Sequence, residues 1–446
     1  MKGTILLPPR TQLFTSQQAI DIALQSFGAT RFSEAQGILL KVLDAEPEHS
    51  FANQLLGIIA YQLGDWKNAM NFFHQALKQN PNYSEAHNNL ALTLLEMNRL
   101  PEAEQSCRKA IDLNPDYFEA HNNLGLILGA LGRSDEAEQS YANSIRINET
   151  FPEPHNNMAL LLIECGRKNE SINHLQRYIE LVPDDLLVCN NLASILIQLD
   201  RRDEAIEVLK EMCRMNPEDL HGQSLRLAYL GAAPPPKTQS SLYLNELYKQ
   251  RSVKWDIKKD YSSYNSPDLV VEMASRITGG LAGLDVLDAG CGTGFIGDLI
   301  NTECRRLVGV DLSPEMLAFA EAKVIYDQLE CTDLIDYMKE NPNTFDAILS
   351  AATIIHFGDL SPVFSAASIV LKEHGVLTFD IFPFEGETFG VNALMFYAHN
   401  EGYITSTATD AGFEVIAIER KVQEHNKSTG ELVECLVVGL RLRPIK

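Results

Sequence analysis

The residues best suited to chemistry lie in one short run, Asp288-Ala289-Gly290-Cys291-Gly292-Thr293-Gly294, which follows the apolar pair Val286-Leu287 and opens a segment of helical pattern. Glycines at these spacings let a backbone turn sharply after a strand and approach a ligand with no Cβ atoms in the way. About 20 residues further on, the apolar stretch Arg306 to Asp311 ends in an acid, where a carboxylate can accept both hydroxyls of a ribose. Together these signals predict a nucleotide site at the carboxyl edge of a parallel sheet.

Two nucleotide classes share that layout, and spacing separates them. A dinucleotide site uses G-x-G-x-x-G so that a pyrophosphate rests on a helix N-terminus. Here Gly294 comes one residue early and Asp288 stands beside the turn. A carboxylate there would repel a pyrophosphate and attract the ammonium and sulfonium of S-adenosylmethionine, so that cofactor is expected and a nicotinamide is the alternative. The run Asp288 to Gly294 resembles the glycine motif of class I methyltransferases. The resemblance implies that Asp288, Ala289, Gly290, Cys291, Gly292 and Gly294 surround the cofactor. It implies further that Asp311 holds the ribose, that Leu312 and Met316 flank the adenine, that Asp333 accepts from the adenine amino group, and that its neighbours Thr332 and Leu334 also belong to the cofactor set. Read without the resemblance, Asp333 serves equally well as the N-cap of a helix starting near Leu334. Ser350, at the end of the fourth strand-like segment, completes the expected cofactor set.

Methyl transfer from a sulfonium is an in-line displacement that asks mainly for alignment and dehydration. An oxygen or nitrogen nucleophile must still lose a proton, and His356, just beyond the apolar run Phe345 to Ile355, is placed for that; capping a helix near Gly358 is its other reading. His399 is a second candidate, on an expected lid from Val391 to Ala411. Tyr261 and Tyr264 could line the cleft or merely pack.

The elements that must position these groups are strand-like segments at Asp285 to Asp288, Arg306 to Asp311, Val324 to Glu330, Phe345 to Ser350, Gly375 to Ile381, Phe413 to Glu419 and Leu432 to Leu440. Helix-length spacers between the first five argue for parallel βαβ units, and the short RKVQEHNKSTGE spacer for a closing antiparallel hairpin. A seven-stranded, Rossmann-like α/β domain over 242–446 follows, with aromatic helices from Leu242 to Ile277 over its mouth.

The N-terminal half has a different rhythm. Pro47, Pro81, Pro115, Pro183 and Pro217 fall at multiples of 34 residues, with Glu149 at the missing beat. Small residues recur at the eighth position (Ala23, Gly57, Ala91, Gly125, Ala159, Ala193) and the twentieth (Ala35, Ala69, Ala103, Ala137, Ser171, Ala205), where antiparallel helices would touch, and Gly64, Gly132 and Gly166 can end the first helix at positive φ. The pattern resembles six tetratricopeptide repeats (TPR) over 16–219, an all-α solenoid after an arm at 1–15, with a capping helix and Pro-rich linker at 220–241 holding the halves apart. The whole order, repeats, aromatic bridge, glycine motif and the later His356-Phe357-Gly358-Asp359-Leu360 and Tyr397-Ala398-His399, is similar to predicted bacterial TPR-containing methyltransferases. That resemblance would put an acid at Ala352 and an arginine at Phe396.

Four successive first helices carry paired amides: Asn88-Asn89, Asn122-Asn123, Asn156-Asn157 and Asn190-Asn191. Asparagine forms helices poorly, so the rows need a reason. Either they line a groove that holds an extended protein or peptide, or they bond neighbouring repeats and lock the stack. In the second case the array would serve assembly or dimerisation, and the acceptor would be a small or carrier-bound metabolite.

A net charge of −23 over 446 residues disfavours nucleic acid and anionic lipid. Eight scattered cysteines form no metal-ligand or C-x-x-C spacing, so reduced thiols and no metal are expected. With no apolar run near membrane-span length and only three apolar residues before Pro8, a cytoplasmic protein is expected.

Overall fold

The 34-residue period is realised as pairs of antiparallel helices. A computed structural model describes residues 4–6, 13–255, 264–425 and 432–444. It divides into two compact units, Met1–Leu199 and Asp200–Lys446. In the first, Ser16–Gly28 precedes Phe32–Ala45, Ser50–Gln62 precedes Trp66–Gln79, Ser84–Glu96 precedes Leu100–Leu113, Phe118–Ala130 precedes Ser134–Ile147, and Glu153–Glu164 precedes Lys168–Leu181. Leu186–Gln198 ends this unit, and Arg202–Met215, the second helix of the sixth repeat, falls in the other.

Every repeat turns at the same position with positive φ. Gly64, Gly132 and Gly166 do so as expected, and Thr30, Asn98 and Asp200 adopt the same left-handed conformation without a glycine. The small residues at both recurrent positions of the first unit are buried. Their sizes are matched to the facing helix: a Cβ on Gly57 would lie 2.5 Å from the Phe73 ring, and one on Gly125 2.4 Å from the Tyr141 ring. Where the eighth residue is alanine, the corresponding facing residue is Leu39, Cys107 or Leu175, all fully buried. Glycine thus appears where an aromatic ring must reach the first helix, which preserves packing density.

Two of the three histidines ahead of the asparagines bond the preceding repeat. His87 Nε2 lies 3.0 Å from the Pro81 carbonyl and His121 Nε2 3.0 Å from that of Pro115, tying each first helix to the preceding repeat's terminus.

In the second unit, β1 (Asp285–Ala289), β2 (Arg306–Asp311), β3 (Gln328–Cys331), β4 (Phe345–Ser350) and β5 (Leu371–Pro383) are followed by the short β6 (Phe389–Val391) and β7 (Tyr397–His399), then β8 (Phe413–His425) and β9 (Leu432–Leu442). The main path runs β8-β9-β5-β4-β1-β2-β3, parallel from β3 to β5, with β9 antiparallel to both β5 and β8. This is the seven-stranded Rossmann-like arrangement anticipated from the spacers. β1 and β4, central on that path, are almost wholly buried, as their apolar residues Val286, Leu287, Ala347, Ile348 and Leu349 require.

Three local expectations are corrected. The third strand starts at Gln328 because Val324, in the left-handed conformation, ends the helix Pro314–Lys323. The segment Val391 to Ala411 is no lid: β7 pairs with β5, Tyr397 and His399 are fully buried, and the helix Glu401–Asp410 packs beside β8. The Pro-rich linker does not run free, since Lys237 O accepts from Gly358 N (2.9 Å) and Asp359 N (2.8 Å), and Thr238 bridges Phe357.

Candidate active site

The carboxyl ends of β1, β2, β3 and β4 open into one cleft. The helix Ser241–Trp255 contributes Leu244, Asn245 and Tyr248 to its wall. On the sheet side it is lined by Gly290, Cys291, Gly292, Asp311, Leu312, Met316, Thr332, Asp333, Leu334 and His356, all anticipated, together with Thr293, Phe295, Ser313 and Thr353, which were not.

The glycine turn is built as its sequence requires. Gly290, Gly292 and Gly294 have φ of +79°, +53° and +89°. A Cβ on Gly290 would lie 2.0 Å from Thr353 Oγ1, so that glycine is fixed by packing. A Cβ on Gly292 would meet nothing within 4 Å, and this residue lines the cleft: its backbone faces open space that a ligand can occupy. Asp311 joins the turn to β2 by accepting from Gly292 N through Oδ2 (2.9 Å) and from Ser313 N through Oδ1 (2.9 Å). Burial raises its carboxyl above the usual range, and ligand hydroxyls donating to it would relieve that cost.

Asp333 caps the helix Leu334–Glu340, its Oδ1 accepting from Ile335 N (2.9 Å) and Asp336 N (3.2 Å). It also lines the cleft, so the cap and a contact to an adenine are compatible in one residue.

Four residues of the expected cofactor set stand behind this wall. Asp288 is 1% exposed and accepts from Tyr326 Oη at 2.6 Å. Burial pushes its carboxyl up to about 7, against the pull of that hydrogen bond. Ser350 Oγ donates to the Ala289 carbonyl (2.8 Å), joining β4 to β1, and Gly294 starts the helix Phe295–Ile300. Asp288, Ala289, Gly294 and Ser350 thus shape the turn from beneath.

The two candidate bases separate. His356 lines the cleft, with Nδ1 2.5 Å from Gln239 Oε1 and Nε2 2.6 Å from Tyr248 Oη. His399 is fully buried, its Nε2 2.9 Å from the Gly358 carbonyl, and desolvation pushes its pKa down to about 4. Tyr264 lines the cleft, whereas Tyr261 lies outside the described residues. Where an acid would be expected at Ala352, its backbone N–H donates to Asp380 Oδ1 (2.7 Å), so a fully buried carboxylate from β5 supports this bend. Phe396, in place of an arginine, stacks on Phe382 and edges against His356.

The amide rows of the repeats are joined to one another. Asn123 Nδ2 donates to Asn88 Oδ1 and Asn157 Nδ2 to Asn122 Oδ1, both at 2.9 Å, from one repeat to the one before it. Asn88, Asn122 and Asn123 are buried; Asn89, Asn156, Asn157, Asn190 and Asn191 are half-buried. Asn156 Oδ1 is buried with no donor among the described residues.

Comparison with known proteins agrees with both halves. A methyltransferase domain model matches residues 287–379, and tetratricopeptide repeat models match 21–84, 60–127, 118–151 and 187–219. The chain therefore carries a stretch that matches a methyltransferase domain behind stretches that match TPR repeats. It is 32% identical over 103 residues to a malonyl-[acyl-carrier protein] O-methyltransferase of Acetivibrio thermocellus, covering 22% of this chain and 36% of that protein. It is 26% identical over 131 residues to a ubiquinone biosynthesis O-methyltransferase of Vibrio atlanticus, covering 28% of this chain and 55% of the relative. The chain thus spans roughly a third to a half of the curated relatives it matches. Among solved structures, PilF of Pseudomonas aeruginosa is 21% identical, covers 47% of this chain and 96% of its own, and has a TM-score of 0.42. Among the described residues, no helix is long and apolar enough to cross a membrane, and no group of three metal-ligating side chains occurs.

Proposed function

We propose that this chain is an S-adenosylmethionine-dependent methyltransferase whose repeat array binds a protein or peptide partner. The observation that carries the catalytic part is the Gly292 cradle: a left-handed glycine open to the cleft, held by the carboxylate of Asp311. Asp311 would bind the ribose hydroxyls, Leu312 and Met316 the adenine faces, and Asp333 the adenine amino group. The bound donor supplies an activated methyl group on a sulfonium. The protein's task is then to orient the acceptor and exclude water, which the aromatic wall of Tyr248, Tyr264 and Phe357 serves. Titration calorimetry tests the pocket: the full chain should bind S-adenosylmethionine, and Gly292→Arg, which fills the cradle, should abolish binding. Retained binding in that variant would remove the assignment.

For the array, the buried Asn156 Oδ1 supports a groove that accepts a donor from a partner's backbone. The opposing reading draws on the inter-repeat amide pairs, which occupy groups a peptide would need. There the array serves assembly, and the acceptor is a small or carrier-bound molecule. Labelled methyl transfer into fractionated cell extract decides between them: label in protein supports the first, label in metabolites the second.

A further inference from the structure

Three side chains at the cleft are left over once the glycine turn and its acids have been assigned. His356 ends the short turn Ile354–His356 beyond β4, and both of its ring nitrogens are engaged, by Gln239 and by Tyr248. An amide oxygen only accepts, so Nδ1 facing Gln239 Oε1 carries the hydrogen. Nε2 is then left with a lone pair, which accepts from the Tyr248 hydroxyl. Gln239 and His356 are 6% and 4% exposed, so the tautomer is set where water competes poorly. Three separate segments assemble this row: the docked stretch at Thr238, the helix Ser241–Trp255 and the bend after β4.

We infer that Tyr248 is the catalytic residue that takes the acceptor's proton while passing its own to His356 Nε2, and that the acceptor is a hydroxyl of phenolic acidity. This rests on the methyltransferase reading above. The acceptor O–H bond breaks toward Tyr248 Oη as the tyrosine O–H bond breaks toward Nε2. Tyrosine is regenerated neutral, and His356 becomes an imidazolium whose Nδ1–H still donates to Gln239. The acceptor oxygen's electron pair forms the bond to the methyl carbon, whose former bonding pair stays on the donor sulfur, so one positive charge passes from sulfonium to imidazolium. A hydroxyl near the pKa of tyrosine itself, about 10, exchanges its proton with Tyr248 at little cost, and an aliphatic alcohol does not. Gln239 is a positioning residue, since its oxygen accepts from Nδ1 in both protonation states of the ring.

Nitrogen NMR of the full chain with 15N-labelled histidine tests the arrangement, the His356 signals being assigned by their loss in His356→Asn. The expected result is the Nδ1–H tautomer, with an Nε2 resonance that moves in Tyr248→Phe; an Nε2–H tautomer overturns the inference. Turnover is then read with S-adenosylmethionine and two probes, an alkyl-substituted phenol and a nitrophenol already ionised at the assay pH. Tyr248→Phe should lower kcat about a hundredfold on the first and less than about tenfold on the second, which has no proton to give. Equal losses on both, or methylation of amines in preference to phenols, overturn it. Calorimetry of donor binding on the same samples separates the two proposals: binding with the wrong tautomer removes the relay alone, and absence of binding removes the site with it.

Discussion

The phenol of Tyr326 donates to Asp288 Oδ2 at 2.6 Å, on the far side of the glycine turn from the cleft. Tyr326 also packs against the turn, where Cβ atoms on Gly294 and Gly297 would lie 3.1 and 2.6 Å from its ring. The acid that opens the motif is therefore a support for the turn. Burial raises its folded-state carboxyl from 3.8 to about 7, and the charge of Asp311 adds to the rise.

A group whose folded pKa is raised contributes stability that is present below its unfolded pKa and lost as pH climbs through the folded one. Asp288 should therefore cost the second unit stability between about pH 4 and pH 7. Asp288→Asn keeps an oxygen to accept from Tyr326 and removes the titration. Its advantage over the parent should grow across that window to at most roughly 4 kcal/mol. Denaturant midpoints measured from pH 4 to pH 8 check this, and curves that stay parallel would contradict it.

Size matching across each helix pair makes a second prediction. Gly125→Ala places a methyl 2.4 Å from the Tyr141 ring, and Gly57→Ala one 2.5 Å from Phe73. Each should destabilise the array by roughly 1 to 3 kcal/mol although alanine is the better helix former. Pairing Gly125→Ala with Tyr141→Leu recreates the Ala159–Leu175 combination of the fifth repeat and should recover most of the loss. If Gly125→Ala alone raised the melting temperature, the packing account would be wrong.

Much of this was legible because it is periodic or local. The prolines announce the 34-residue unit, and the alternation of glycine and alanine at the eighth position hints at the size matching. The run Asp288 to Gly294 and the acid at Asp311 locate the cleft because a sharp turn after a strand needs glycine nearby in sequence. What stayed hidden is long-range. Gln239 and Tyr248 reach His356 across 117 and 108 residues, and nothing in a Pro-rich linker marks one glutamine as a partner for a distant ring. The contact of Asp288 was hidden for a related reason: spacing places it next to the turn, but its carboxylate is held by Tyr326, 38 residues away. The amide rows were visible, while the step of 35 residues that joins Asn88 to Asn123 requires the superhelical offset between repeats.

That offset gives a third prediction. Asn123→Ala leaves Asn88 Oδ1 buried without its donor from the next repeat, a loss of about 1 to 3 kcal/mol. A double-mutant cycle with Asn88→Ala should show coupling above about 0.5 kcal/mol, since residues in one hydrogen-bond pair are not additive. Additive effects would mean that the amides serve a ligand and not the stack. Any loss of partner binding in these variants must be read against their stability for the same reason.

The fourth prediction concerns His399, whose Nε2 lies 2.9 Å from the Gly358 carbonyl and whose pKa burial lowers to about 4. Its folded pKa lies below the unfolded value, so its neutral form contributes stability at neutral pH that is lost as pH falls from about 6.5 toward 4. This is opposite in sign to Asp288, so the two substitutions can be told apart in one pH series. His399→Gln keeps a side-chain donor for the Gly358 carbonyl and cannot become a cation. It should lower stability modestly at pH 8 and flatten the acid limb between pH 6.5 and 4. Because His399 does not line the cleft, its turnover, once corrected for folded fraction, should stay within about threefold of the parent, well short of the 10²–10⁴-fold typical for loss of an acid–base group. A larger fall in kcat with stability preserved would return His399 to the chemistry and place a moving element between it and the acceptor.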